Sequence, residues 1–164
     1  MSDLPIRISE LLPAFERSTY DSLLPRATVL CGEELDAFRR ATASTRVCTA
    51  IAPLGMAFLQ KEGYQVISEW HIPNHPLTQG GRLGHMFISE LGDPNRRRLG
   101  EHDVVIDPTY LQFAHADART HDLPSVFVGP RGEIMQMMSD PDFSINPVAA
   151  QFYTEDTWVP AKSF

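Results

Sequence analysis

Across residues 48–62 the chain is apolar on almost every side of a 3.6-residue period, and past Gly63 the period drops abruptly to two. A helix of that character has to be covered around most of its circumference, which places it in the middle of a domain. Gly63 suits the stop beyond its last turn, and Ser44 or Thr45 is positioned to cap its start. Pro53 is the awkward residue: it either kinks the helix or delays its regular part to about Ala52. The segments that follow supply the covering. Residues 64–72 alternate as a strand, 74–84 form a loop rich in proline and glycine, and 85–91 and 103–107 are two more strands separated by turn residues. Residues 125–129 add a fourth. Ahead of the apolar helix, positions 8, 11, 12 and 15 make a helical face that Pro13 shortens or kinks. Residues 32–42 carry Glu33, Glu34 and Asp36 early and Arg39 and Arg40 late, as the helix dipole favours. Helices, one buried helix, then an antiparallel meander is an α+β order. With no repeat and no linker-like stretch, residues 1–164 read as a single domain.

The charge balance narrows the partners. A formal net charge of -7 repels phosphate backbones, so nucleic acid is not an expected partner. The run Arg96, Arg97, Arg98 follows Gly92-Asp93-Pro94-Asn95 and reads as the solvated tip of a turn. No stretch approaches the ~20 apolar residues of a membrane span, and the first residues lack the pattern of a secretory signal. Only two cysteines, Cys31 and Cys48, are present, so a disulfide framework is not available and a reducing compartment is the default. The expected location is therefore the cytoplasm, or outside the cell by a signal-independent route.

Cys48 opens the apolar helix. There a thiol feels the positive end of the helix dipole, which favours thiolate, and the neighbouring backbone N–H groups can serve an oxyanion. A cysteine filling core space is the plainer account of that residue taken alone. His85 and Asp107 change the balance. His85 opens a strand after a glycine-containing loop, and Asp107 ends the next strand. If those strands pair as a hairpin, the two side chains become neighbours. The carboxylate then fixes the imidazole tautomer and leaves the other nitrogen for Cys48.

Val47-Cys48-Thr49-Ala50, Gly84-His85-Met86-Phe87-Ile88 and Val105-Ile106-Asp107-Pro108-Thr109-Tyr110 follow one another in an order that resembles the transglutaminase-like branch of the papain-like cysteine enzymes. The likeness is one of motif order over residues 44–113. It implies a papain-like or transglutaminase-like core, in which the helix carrying the cysteine packs on an antiparallel sheet. It also implies that Cys48 attacks a carbonyl, His85 shuttles the proton and Asp107 orients His85, through a thioester acyl-enzyme resolved by water or by an amine. Deamidases, transglutaminases, peptidases and amide-forming enzymes all belong to that branch. The expected partners are a peptide, a protein or a small acyl or amide substrate, with no cofactor and no metal. Two features depart from the pattern: Thr49 follows the cysteine where many members have an aromatic residue, and no glutamine lies upstream of Cys48. The second oxyanion donor is thus unassigned, and the Trp70 indole N–H is the candidate for it.

Other readings of the same residues stay open. Cys31 also precedes a helix, but the carboxylates beside it disfavour a negatively charged sulfur. His71 with His75, and His115 with Asp117 and His121, have loose ligand-like spacing, but Pro73 breaks the first group and loop histidines on the surface are the ordinary account. Met135, Met137 and Met138 fit core filling or an interface. From Asp140 onward the chain reads as an irregular segment wrapped onto the domain. The fold could also serve as a non-catalytic interaction module.

Overall fold

The computed structural model describes residues 2–72, 84–90, 100–117, 123–154 and 158–160. Within them run α1 (Leu4–Ser18), α2 (Gly32–Ala43), α3 (Cys48–Lys61), β1 (Val66–His71), β2 (His85–Glu90), β3 (Val104–Asp107), β4 (Phe127–Pro130), α4 (Arg131–Ser139) and β5 (Trp158–Pro160). Every strand pairing is antiparallel, in the order β4-β3-β2-β1-β5. The architecture is α+β. Among the described residues no helix is long and apolar enough to cross a membrane. The arginine run at 96–98 and most of the 74–84 loop lie outside the described residues.

Helix α3 lies against β2 because of a glycine. A Cβ at Gly55 would sit 2.8 Å from Ile88 Cδ1 and 2.7 Å from Phe15 Cζ, so only a bare Cα admits both the sheet and α1 at that point. Cys48, Ile51, Ala52, Gly55 and Leu59 are buried on this side. The other side is not covered: Thr49, Ala50 and Ala57 are exposed, and Leu54 is 38% exposed. The apolar periodicity thus overstated the burial, since small alanines on a solvent face carry the same signature as alanines in a core. The N-terminus also differs from expectation. Val47 is the N-cap, with no side-chain cap bond. The Ser44 and Thr45 hydroxyls donate instead to the carbonyls of Arg40 and Thr42, at 2.8 Å each, and so close α2. Helix α3 is continuous from Cys48 through Pro53, which sits beyond the first turn and forgoes one backbone bond.

Helix α1 is longer than the 8–15 face required. Pro5 occupies its first turn, and Pro13 falls within it on the exposed side, while Leu4, Leu11 and Phe15 are buried. Strand β2 is buried at all six positions, because α3 covers the Ile88 face and the tail covers the Phe87 face. That tail is more ordered than its composition implied. Residues Ala149–Tyr153 form a 3-10 turn, and β5 pairs with β1. Helix α4 gave no clear period in nine residues. It buries Ile134 and Met138, and the half-covered Met135 and Met137 pack against the same core, so core filling accounts for all three methionines.

Candidate functional site

The site grows from the β2–β3 register. Ile88 pairs with Ile106 and Ser89 with Val105. One step further along, Asp107 falls beside Phe87 and diagonal to His85, a separation that two longer side chains can close. The His85 Nε2 stands 2.6 Å from Asp107 Oδ2, and both residues are completely buried. A carboxylate only accepts, so Nε2 carries the proton and Nδ1 is the nitrogen left to act.

Four donor contacts hold Asp107. Oδ2 also accepts from the Tyr153 hydroxyl at 2.5 Å, while Oδ1 accepts from the Thr109 backbone N–H at 2.9 Å and its hydroxyl at 3.4 Å. The Asp-Pro-Thr sequence is therefore an Asx-type turn in which Pro108 removes a competing donor and Thr109 clamps the carboxylate. Tyr20 secures the same turn from α1's C-terminal side, donating to the Pro108 carbonyl at 2.5 Å. Burial, and then the charge of Asp107, push the Tyr153 phenol far above its ordinary range, so it remains a donor. Tyr110, whose hydroxyl reaches the Pro124 carbonyl at 2.7 Å, is core packing.

The imidazole is walled by aromatic rings. Phe113 lies edge-on with centroids 4.9 Å apart, and Phe152 and Tyr153 follow at 5.9 and 5.6 Å. Burial disfavours its cation, but Asp107 and then Cys48 outweigh burial and raise its pKa to about 9. Cys48, the first residue of α3, meets the His85 ring and the Met86 backbone N–H. Burial pushes this thiol up, but the hydrogen bond and charge of His85 override it, with help from Met86, and its pKa falls below 9.0. Each partner thus stabilises the other's charged form, the electrostatics of a thiolate–imidazolium pair.

The three residues singled out from the sequence are brought together. Trp70 pairs with Met86 across β1 and β2, on the sheet face of α3, and its ring lies where a Cβ on Gly84 would be. Glycine before His85 is thus a packing requirement. Cys31 is exposed at the N-cap of α2 and is not part of this set. His71 is no surface histidine: it is fully buried opposite His85, with Nε2 3.3 Å from a Glu69 carboxylate that also accepts from Ser89. Its proposed partner His75 lies outside the described residues, as does His121. Among the described residues no group of three or more His, Cys, Asp or Glu is placed to hold a metal ion.

Sequence reasoning missed Gln112 and Tyr153. Gln112 Nε2 is 3.2 Å from His85 Nδ1 and 3.0 Å from the Thr109 carbonyl. Its signal was its place one 3-10 turn after Thr109, in Tyr110–Phe113. Tyr153 had no signal beyond the aromatic density of the tail. No protein-family model matches the chain, and neither the curated proteins nor the solved structures yield a significant match.

Proposed function

We propose that the chain is a cysteine enzyme of the papain-like, transglutaminase-like kind, acting on an amide or other acyl group through Cys48, His85 and Asp107. The observation that carries this reading is the 2.6 Å bond from His85 Nε2 to a fully engaged Asp107, with Nδ1 on the side of a thiol at a helix N-terminus. The Cys48 sulfur attacks the carbonyl carbon, and the tetrahedral oxyanion collapses with loss of the amine, which takes its proton from His85. The thioester that remains is opened by water, with His85 as base, giving an acid and the free thiol. An amine in place of water gives a new amide. Backbone N–H groups in the first turn of α3 receive the oxyanion, which the Val47 side chain cannot cap. The Trp70 indole N–H is the proposed second donor. Peptides, proteins and small amides are the substrate class, and a net charge of -7 favours neutral or basic ones.

A second reading has its own observation. Cys48 is 6% exposed and His85 fully buried, as in a structural core cluster on a non-catalytic interaction module. The two readings separate by covalent chemistry. The protein is incubated with a panel of peptide amides and acyl thioesters, and intact mass is compared with that of Cys48→Ala. An acyl adduct on Cys48, absent from the variant, supports the enzyme. Absence of any adduct, together with a thiol pKa unmoved by His85→Ala, leaves the interaction module.

A further inference from the structure

The nitrogen of His85 that faces Cys48 has a second neighbour, and its chemistry is fixed by a third. A Gln112 amide could be oriented either way on shape alone. The Thr109 carbonyl, which can only accept, lies 3.0 Å from one end of that amide, so the NH2 group must be the end there. The Thr109 hydroxyl, 3.2 Å away, is compatible with the same orientation. One N–H is thus committed to Thr109, and the other is directed at His85 Nδ1, 3.2 Å away. Nδ1 can accept that hydrogen bond only while it bears a lone pair. Once the Cys48 proton moves to Nδ1, two N–H groups confront each other.

We infer that Gln112 is a positioning residue that holds His85 as the neutral base by donating to the Nδ1 lone pair, and so restrains the resting thiolate–imidazolium pair. This rests on the cysteine-enzyme reading above and adds a control to it. Asp107 favours the imidazolium through Nε2, and Gln112 opposes it through Nδ1. The proton of Cys48 is therefore held until a substrate is in place, which keeps a nearly buried sulfur from reacting with oxidants and alkylating agents at rest. Among the described residues, the titratable groups around the ring are Cys48 from α3, Asp107 from β3, Tyr153 from the tail and His71 with Glu69 from β1. Substitution at Gln112 leaves all of them in place.

The test is the pH dependence of Cys48 alkylation by iodoacetamide, followed by peptide mass spectrometry in a Cys31→Ser background that removes the exposed thiol. Replacing one neutral hydrogen bond by none shifts such a titration by about half to one pH unit. Gln112→Met keeps length and removes the donor, so the alkylation midpoint should fall by that amount. Nitrogen-15 shifts of the His85 ring give an independent reading, with Nδ1 protonated to higher pH in the variant. A midpoint and ring shifts that stay put, or a midpoint that rises, overturn the role of Gln112. If His85→Ala moves the midpoint while Gln112→Met does not, the triad stands and only this inference fails. If His85→Ala does not move it either, both fail.

Discussion

Tyr153→Phe removes one oxygen from the described structure and keeps the ring. The hydroxyl donates at 2.5 Å to a carboxylate oxygen that is fully buried and shared with His85. The phenylalanine ring would keep the packing on Phe87, with centroids 5.0 Å apart, so loss of area contributes little. A hydrogen bond to a charged group contributes about 1.5–3 kcal/mol, and here Thr109 and His85 still hold the carboxylate, which argues for the middle of that range. We expect a loss of about 2 kcal/mol at pH 7. With a urea slope of about 2 kcal/mol/M, the unfolding midpoint falls by roughly 1 M. The assay is equilibrium urea unfolding followed by tryptophan fluorescence and far-UV circular dichroism. A second arm isolates the charge: with Asp107→Asn in place the acceptor is neutral, and the same Tyr153→Phe step should cost about half as much. A midpoint unchanged within roughly 0.2 M, or an equal cost in both backgrounds, would refute the reasoning.

The pH dependence of stability carries a signature of the Cys48–His85 pair. His85, raised to about 9 from 6.5, on its own adds stability that is complete below 6.5 and lost as the pH climbs to about 9. Cys48, lowered from 9.0, adds stability that is complete above 9.0 and lost as the pH falls through its folded value. Between 6.5 and about 9 the two contributions run in opposite directions with pH and so offset each other. Urea midpoints should therefore decline less over that window in the native protein than in Cys48→Ala, where the His85 contribution is unopposed; parallel declines would refute the pairing. Gly84→Ala drives a methyl into the Trp70 indole and should perturb both tryptophan fluorescence and the Cys48 alkylation rate. Gly55→Ala overpacks the meeting of α3, Phe15 and Ile88 and should destabilise by about 1–3 kcal/mol, despite the higher helix propensity of alanine.

The paired strands and the helix carrying Cys48 were legible because each rests on local signals: a change of period at Gly63, turn residues between strands, and strand ends marked by His85 and by Asp107-Pro108. What the pattern could not carry was coverage. The apolar stripe of α3 does not distinguish an alanine facing solvent from one facing Ile88, and Ser44 bonds backward into α2 because a hydroxyl can serve the helix it ends as well as the one ahead. Tyr153 lies 46 residues from the carboxylate it serves, and no local pattern encodes a partner at that distance. Gln112 was within reach in principle, since a 3-10 turn sets residues 109 and 112 one above the other. Its significance still depended on which ring nitrogen faced it.

That nitrogen also divides the two readings of the site. A buried histidine beside a buried carboxylate needs Thr109, Tyr153 and the aromatic walls whether or not any chemistry follows, because an unsupported charge there would be costly. The Asp107 half of the cluster is therefore common to an enzyme and to a structural core. The Nδ1 half is not. A purely structural imidazole is satisfied by Asp107 on one nitrogen and Gln112 on the other, and it gains nothing from a thiol whose ionisation it promotes at a helix N-terminus. Function therefore turns on the contest between Cys48 and Gln112 for a single lone pair, which measurements on the thiol can decide before any substrate is known.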